Sequence, residues 1–408
     1  MAGIKLSNVG IFRKKDKELY KDRVEEEDAD VSDFEDEKPK KVSSRRPKET
    51  RFTQQRIGAV NLIVKPATVI PLYLILAIFS VVIGAVLFVS VTKVDEFIIY
   101  YHNCASNASL TDFQDIPSDQ FSYSFHKEGS SGSNPQWKYV EPEDPSEDGS
   151  CRLRFSVPYD LEGPIYVSYL IENFYANHRR FVLSFSEDQI KGLNASYEDV
   201  HGSVGINCRP LIRNEEGKLY YPCGLIANSM FNDTFPFSLT GVNGASDFPL
   251  TNKGINWPDD KNRFKKTQYS PDDVTPPPYW KKQFPDGYNE ENLPDLHEWE
   301  EFQNWMRTST LPKFSKLIRR NDNDTLSAGT YEMEIGLHWP VDGWKDGKKA
   351  VYITNSSSIG GKNKFLPIIY LVGGGLCCII ALFILFSYVF ARRKIADWNL
   401  LSWNRTNQ

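Results

Sequence analysis

The cysteines are the residues best placed to do covalent chemistry in this chain. There are 6 Cys among 408 residues, four in the middle of the chain and two together in an apolar stretch near its C-terminus. The middle four can pair if that part of the chain lies in an oxidising compartment. Three connectivities are open, and we favour the sequential one, which joins Cys104 to Cys151 and Cys208 to Cys223. A zinc site competes with this interpretation, but the chain has no Cys-x-x-Cys motif and its His residues are scattered.

Asparagine sequons point to the same compartment. The triplet Asn-x-Ser/Thr is the acceptor for N-glycosylation of secreted and lumenal segments. Five such triplets fall in the middle of the chain, where they predict glycosylation, at Asn107, Asn194, Asn232, Asn323 and Asn355. A sixth, at Asn404, lies on the predicted cytoplasmic side and should stay unmodified.

Catalytic patterns are missing from the sequence. We find no nucleophile elbow, no His-Glu-x-x-His motif, no Walker loop and no Gly-x-Gly-x-x-Gly fingerprint. We therefore expect no enzymatic role, no cofactor and no metal site, although scattered carboxylates leave a lumenal enzyme open as an alternative. The formal net charge of -5 argues against a nucleic-acid partner.

Two long apolar blocks determine the membrane topology of the chain. Residues 70–91 and 365–390 carry no charge, and at about 1.5 Å per residue each is long enough to cross the hydrocarbon core as a helix. Basic residues flank the outer end of each block, which by the positive-inside rule places both termini in the cytoplasm. These flanking residues are Arg45, Arg46, Lys48, Arg51, Arg56 and Lys65 before the first block, and Arg392, Arg393 and Lys394 after the second.

This topology divides the chain into segments. Residues 1–50 are predicted to form a disordered cytoplasmic tail with acidic and basic runs, because few of them could bury apolar surface. Residues 51–69 form a juxtamembrane segment, and residues 391–408 form a second cytoplasmic tail. Residues 93–364 would then be lumenal or extracellular.

The middle region is predicted to consist mainly of half-buried antiparallel strands. Apolar residues alternate with polar ones in residues 121–125, 152–157, 165–171 and 330–339, and this period of two is typical of a sheet with one buried face. The alternating runs are far apart, so we predict a large antiparallel β-sandwich with long insertions. One helix is predicted from Asp295 to Met306, because apolar residues recur there at helical spacing.

Small residues in the second apolar block could allow close helix packing. Gly373, Cys377 and Ala381 recur every four residues, and such rows let helix backbones approach each other. The row equally suits small residues that merely face lipid. The absence of ionisable residues from both blocks argues against a self-contained ion pathway.

Several stretches of the chain resemble the β-subunits of type IV P-type ATPases, the phospholipid flippases (the Cdc-fifty family). The similarity covers nearly the whole length, and the acidic tail is most similar to a fungal branch, Lem-three. The matching stretches are Phe52-Thr-Gln-Gln-Arg56, Ala176-Asn-His-Arg-Arg180, Tyr221-Pro-Cys-Gly-Leu-Ile-Ala-Asn-Ser-Met-Phe-Asn-Asp-Thr234, Asn252-Lys-Gly-Ile-Asn-Trp257, Gly336-Leu-His-Trp339 and Arg392-Arg-Lys-Ile-Ala-Asp397.

The resemblance implies a partner rather than a reaction. Such a subunit forms a heterodimer with an ATPase α-subunit, supports its folding, its exit from the endoplasmic reticulum and its transport cycle, and sits among membrane lipids. The resemblance further implies transit to the Golgi, endosomes and plasma membrane, with phosphatidylcholine and phosphatidylethanolamine as cargo. We expect partner contacts on the small-residue row and on Phe231, Phe235 and Phe237. The three Phe could instead be sandwich core.

Two other function classes stay open at this stage. A cargo or glycan receptor would need an exposed aromatic platform, for which Trp257, Trp280 and Trp299 are candidates. A channel subunit would need polar residues lining a pore, which the two apolar blocks lack.

Overall fold

The computed structural model describes residues 50–52, 55–56, 65–127, 132–144, 147–202, 205–341, 343, 345–355 and 360–391. The described residues from 65 onwards belong to one compact unit. Most of the predicted cytoplasmic tails and of the juxtamembrane segment lies outside the described residues.

Two 27-residue apolar helices are long enough to cross a membrane, as predicted. They are α1 (Pro66–Thr92) and α9 (Phe365–Ala391). The first begins four residues earlier than its apolar block, because Pro66 occupies the first helical turn, where the missing backbone N–H costs nothing. The chain is therefore a two-span protein with a large β domain (residues 93–364) between the spans.

Short helices punctuate the β domain. They are α2 (Cys104–Asn107), α3 (Arg179–Val182), α4 (Glu187–Ile190), α5 (Tyr197–His201), α6 (Leu225–Asn228), α7 (Pro258–Arg263) and α8 (Glu300–Met306). The predicted helix over residues 295–306 is confirmed only in its second half, as α8. Leu296 is buried but precedes this helix.

Most strands of the β domain belong to two antiparallel sheets. Their bounds are β1 (Glu96–Tyr100), β2 (Gln114–Asp115), β3 (Phe121–Ser124), β4 (Gln136–Val140), β5 (Ser150–Val157), β6 (Ile165–Glu172), β7 (Leu219–Tyr220), β8 (Ser238–Val242), β9 (Phe248–Pro249), β10 (Val274–Thr275), β11 (Phe314–Asn321), β12 (Gly329–Gly336) and β13 (Lys348–Asn355). The five-stranded sheet has the order β11-β6-β13-β1-β3, and the six-stranded sheet has the order β2-β4-β5-β12-β8-β9. Strands β7 and β10 form a separate parallel pair.

The two sheets face each other across a shared apolar core, which confirms the predicted sandwich. Alternate residues of β5 and β12 are buried, as expected for strands with one face on the core. Phe97 of the first sheet and Phe155 of the second place their ring centroids 5.2 Å apart. The long insertion between β6 and β11 carries the short helices α3 to α8.

Both spans connect to neighbouring strands of one sheet. Helix α1 ends four residues before β1, and β13 ends ten residues before α9. Strands β1 and β13 pair in register from Glu96–Thr354 to Tyr100–Ala350. The spans therefore join the same end of the five-stranded sheet, which we call the proximal end. The opposite end, where β6 reaches Glu172 beside Lys348, is the distal end.

Candidate partner interface

The segment Tyr221–Thr234, which carries the family resemblance, is fixed at the centre of the β domain. Its Cys223 is bonded to Cys208. The next residue, Gly224, has φ of +98°, and a Cβ there would collide with the carbonyl of Ser184. Only glycine fits both the positive φ and the close approach of the backbone.

Three tryptophans cap the short helix inside this segment. The indole N–H of Trp305 donates to the carbonyl of Ile226 at 2.8 Å, and that of Trp280 to Ala227 at 3.0 Å. Trp339 donates to the carbonyl of Ser229 at 3.2 Å. The carbonyls at the end of a short helix lack intrahelical partners. The indoles supplement the bonds that Ile226 and Ala227 accept from the Ser229 hydroxyl and the Met230 N–H.

A buried ion pair ties the end of the segment to the distal end of the five-stranded sheet. The carboxylate of Asp233 lies 2.7 Å from the ammonium of Lys349 and accepts a hydrogen bond from the hydroxyl of Tyr101 at 2.8 Å. It also accepts from the backbone N–H groups of His338 and Trp339. Burial raises the pKa of Tyr101 well above its ordinary value, and the carboxylate adds to this.

These contacts explain why β12 is shorter than predicted. The alternation in the sequence runs to Trp339, but the strand ends at Gly336. Beyond it, the backbone donors of residues 338 and 339 turn to Asp233 instead of to a neighbouring strand. Hydrogen bonds to a buried carboxylate therefore replace the strand-to-strand hydrogen bonds that would have extended β12.

The three phenylalanines named as contact candidates have different environments. Phe231 and Phe235 lie in the core, and Phe231 stacks on Tyr169 with ring centroids 3.9 Å apart. Phe237 is 59% exposed. The guanidinium of Arg319 lies 4.3 Å from its ring centroid and donates to the carbonyl of Phe235 at 2.9 Å. Phe231 and Phe235 therefore occupy the core, the alternative stated for them, and Phe237 alone presents its ring to the surface.

The two spans pack along residues spaced seven apart. The buried residues of α1 are Ala77, Gly84 and Val91, and those of α9 are Pro367, Gly374 and Ala381. A seven-residue repeat keeps one seam facing the partner helix. A Cβ at Gly374 would lie 2.8 Å from Cγ2 of Val81 and 3.1 Å from the carbonyl oxygen of Ala77. The small residues therefore allow the two spans of this chain to pack closely against each other.

The predicted four-residue row is divided between two environments. Ala381 is buried in the seam, and Cys377 is half-buried. Gly373 has open space where a Cβ would be. The row therefore does not act as one surface: its member Ala381 serves the pair of spans, while Gly373 faces outward. Gly374, which lies beside the predicted row in the sequence, is the glycine that packs in the seam, at the heptad spacing of Pro367 and Ala381.

The outward faces of the spans are apolar. In α9 the exposed side chains include large residues from one end to the other, and α1 shows the same pattern. Examples are Leu72, Ile75, Phe79, Val82, Val86, Val372, Leu376, Ile379, Phe383 and Phe386. Such faces suit lipid or further membrane helices.

A second buried carboxylate, missed by sequence reasoning, sits where α1 enters the domain. The side chain of Asp95 is 0% exposed, and its Oδ2 lies 2.8 Å from Nδ1 of His126. Its Oδ1 accepts from the hydroxyl of Tyr159 at 2.6 Å and from the backbone N–H of His126. Burial, reinforced by the bond to this carboxylate, raises the pKa of Tyr159 to about 12.

The Asp95 cluster also holds the chain that leads to the second span. Nδ2 of Asn355 donates to Oδ2 of Asp95 at 3.3 Å, and Oδ1 of Asn355 accepts from the Asp95 N–H. The hydroxyl of Thr354 donates to the Asp95 carbonyl at 2.9 Å. One residue thereby joins the start of β1 to the end of β13.

The remaining candidate residues are the cysteines, the sequon asparagines and the three tryptophans. The structure joins Cys104 to Cys151 and Cys208 to Cys223, with Cys377 and Cys378 free in α9. The sequons at Asn107, Asn194 and Asn323 are exposed, while those at Asn232 and Asn355 are half-buried. Trp280 is core and Trp299 half-buried, so only Trp257 of the three candidate platform residues is exposed.

Comparison with known proteins identifies the group to which these features belong. The model of the LEM3 (ligand-effect modulator 3) / CDC50 family matches residues 87–394. The phospholipid-transporting ATPase accessory subunit LEM3 of Saccharomyces cerevisiae is 52% identical, with 99% of this chain and 100% of the relative covered. The accessory subunit CDC50 of Chaetomium thermophilum is 38% identical over 88% of this chain and 91% of that protein.

A more distant relative also matches most of the chain. Cell cycle control protein 50A of Bos taurus is 34% identical, covering 84% of this chain and 89% of that protein. The matched region contains the last six residues of α1, the whole β domain and all of α9. The chain belongs to the CDC50/LEM3 family.

Proposed function

We propose that this chain is a non-catalytic accessory (β) subunit of a phospholipid-transporting P-type ATPase. The observation that carries the proposal is the 52% identity, over the whole length of both proteins, to an accessory subunit of that name. The architecture suits the role, because two apolar spans and a folded domain can contact a membrane partner both within the bilayer and outside it.

The contacts would be divided between membrane and β domain. The seam between α1 and α9 is occupied by small residues of this chain, so the ATPase α-subunit would bind the outward apolar faces, including the open side at Gly373. Phe237, exposed beside Arg319, would add a contact from the domain. Phe231 and Phe235 would support that contact from the core.

The proposal includes an orientation. Both termini would be cytoplasmic and the β domain lumenal or exoplasmic, which matches two disulfides and exposed sequons. The chain would support folding and exit of the α-subunit from the endoplasmic reticulum, then travel with it towards Golgi, endosomes and plasma membrane. Phosphatidylcholine and phosphatidylethanolamine would be the lipids moved to the cytoplasmic leaflet.

An accessory subunit changes a transport cycle only by binding some states of the pump better than others. A domain rigidly joined to both spans is suited to this, because binding at the domain can then bias the membrane region. The Asp95 cluster supplies that rigid joint.

Co-purification tests the proposal directly. The tagged full chain, extracted in mild detergent, should bring down a P-type ATPase identified by mass spectrometry, and its deletion should reduce uptake of labelled phosphatidylcholine. Recovery of the chain without an ATPase, together with unchanged lipid uptake after deletion, would contradict the proposal. Protease protection in sealed vesicles tests the orientation separately.

A further inference from the structure

A pocket lined by basic side chains opens on the β domain. Its volume is about 490 Å³, and its lining includes His178, Arg179, Arg180 and Arg209. No carboxylate is among the lining residues. We call it the distal basic pocket.

The pocket has a rigid floor. Arg209 follows Cys208, which is fully buried and disulfide-bonded. The carbonyl of Arg209 accepts from the hydroxyl of Ser184 at 2.8 Å, and its N–H donates to Oδ1 of Asn207 at 3.1 Å. The backbone that presents this guanidinium is therefore fixed before any ligand binds, which reduces the entropy lost on binding.

The positive charge in the pocket is not neutralised by the described part of the chain. Nη2 of Arg209 lies 2.8 Å from Nε2 of His201, and its Nε is buried without an acceptor. Arg179 and Arg180 are exposed and form no ion pair with any described carboxylate. By contrast, Arg152 and Arg154 on β5 are each paired with a glutamate of β12.

The course of the chain towards the pocket argues against the surrounding membrane as the source of the anion. The chain reaches the pocket from Glu172, at the distal end of β6, whereas Ile165 at the other end of that strand pairs with Asn355 beside the second span. Eight residues of strand span about 26 Å. Attraction to lipid headgroups is screened within about 8–10 Å at physiological ionic strength.

Exposed apolar side chains lie beside the pocket. Tyr175 is 63% exposed and Leu311 64% exposed. Their two loops are joined by the N–H of Phe174, which donates to the carbonyl of Pro312 at 3.2 Å, and by Nδ2 of Asn177, which donates to the carbonyl of Thr310 at 2.9 Å. Tyrosine and arginine beside exposed apolar groups are typical of protein–protein interfaces.

We propose that the distal basic pocket binds an acidic segment of a protein partner on the same side of the membrane as the β domain. Arginine forks bind carboxylates in bidentate fashion, while Tyr175 and Leu311 would cover apolar residues next to the acidic ones. This site goes beyond the accessory role, because contacts of the spans with a pump do not require it.

Peptide binding to the purified full-length chain in detergent tests the site. The probe is a fluorescein-labelled octaglutamate, with octaglutamine as its uncharged counterpart. We expect octaglutamate alone to bind, and the double variant Arg179→Gln/Arg180→Gln to weaken its binding about tenfold. The control Lys265→Gln/Lys266→Gln removes the same charge from an exposed pair elsewhere and should leave the affinity within about twofold.

Three outcomes would overturn the proposal. These are absence of octaglutamate binding, equal weakening in both double variants, and Arg-dependent binding to phosphatidylserine vesicles but not to the peptide. The last result would assign the pocket to a membrane instead. The thermal unfolding midpoint of each variant shows whether it is folded. If the first pair fails to fold, Arg179→Lys/Arg180→Lys, which keeps the charge but loses the bidentate fork, should still weaken octaglutamate binding, and unchanged binding would contradict the proposal.

Discussion

Two buried carboxylates organise opposite ends of the β domain. Asp95 gathers His126, Tyr159 and Asn355 at the proximal end, and Asp233 gathers Lys349 with Tyr101 at the distal end. Each replaces lost hydration with several hydrogen bonds, without which a buried charge would be too costly. Neither was evident as special in the sequence, because the chain contains 53 acidic residues and burial decides which of them matter.

Lys316 gives the clearest dependence on pH. Burial lowers the pKa of its ammonium to about 7, although its Nζ donates to the carbonyls of Asn304 and Arg307. Between that value and the ordinary 10.5, the unfolded chain binds a proton that the folded chain lacks, so stability rises with pH. Relative to Lys316→Met, the free energy of unfolding should increase by about 1.4 kcal/mol per pH unit above pH 7.

Denaturant unfolding of both proteins at several pH values between 7 and 9 measures this difference. Below pH 7 both states are protonated, and the difference should be flat. The exposed Lys281→Met serves as a control with no pH-dependent difference. A flat profile for Lys316→Met would mean that the two carbonyls keep the ammonium charged.

The sequons should differ in occupancy. Asn107, Asn194 and Asn323 are exposed, so each Asn→Gln change should remove one glycan with little effect on folding. Both Oδ1 and Nδ2 of Asn355 are hydrogen-bonded to Asp95, so this side chain should not carry a glycan. Asn355→Gln should therefore leave the glycan mass unchanged and lower stability. Mass spectrometry of glycopeptides measures this, and a glycan found on Asn355 would refute the prediction.

At the scale of elements, the seam between the spans is the most specific feature. Gly374→Leu should weaken the helix pair, because any Cβ there meets Val81 and Ala77 of α1. We expect a loss of roughly 1–3 kcal/mol in stability, as for overpacked cores. Gly375→Leu is the matched control, since a Cβ at Gly375 meets nothing within 4 Å.

The thermal midpoint of the detergent-solubilised protein, followed by size-exclusion chromatography, distinguishes the two variants. Equal midpoints for Gly374→Leu and Gly375→Leu would mean that the seam does not contribute to stability. If only Gly375→Leu lost an ATPase partner on purification, the outward face would be the intermolecular one.

Elements with a clean pattern were predictable, and those without were not. The spans followed from hydropathy, and β3, β5, β6 and β12 from alternation of apolar and polar residues. Strand β11 was missed because it buries Lys316 and Arg319, which breaks the apolar alternation. Strand β13 was missed because its central residues are buried on both faces, so it has no polar side to alternate with.

The candidate site was predictable only in outline. The sequence identified the segment around Cys223 and the small residues of α9. It could not separate Phe237 from Phe231 and Phe235, because three similar side chains two to four residues apart differ only in what the rest of the domain places over them. The Asp95 cluster required contacts between residues separated by up to 260 positions, which no local pattern encodes.

At the scale of the whole molecule, Asp95 should couple the spans to the domain. Asp95→Ala would leave the Tyr159 hydroxyl and the Asn355 amide without their acceptor in a buried site. We expect a loss of about 2–4 kcal/mol in the free energy of unfolding and faster protease cleavage next to the spans. Asp119→Ala, at an exposed position, is the control, and equal protease sensitivity of the two variants would contradict the assignment.

The pairing of β1 with β13 constrains how the spans can move. Five registered residue pairs connect the strands that lead to α1 and α9, and the two spans also pack along their seam. Sliding one span past the other would break that packing, so we expect the helix pair to tilt as one unit. A pump that tilts this pair by a few degrees would swing the distal end of the domain through a proportionally longer arc.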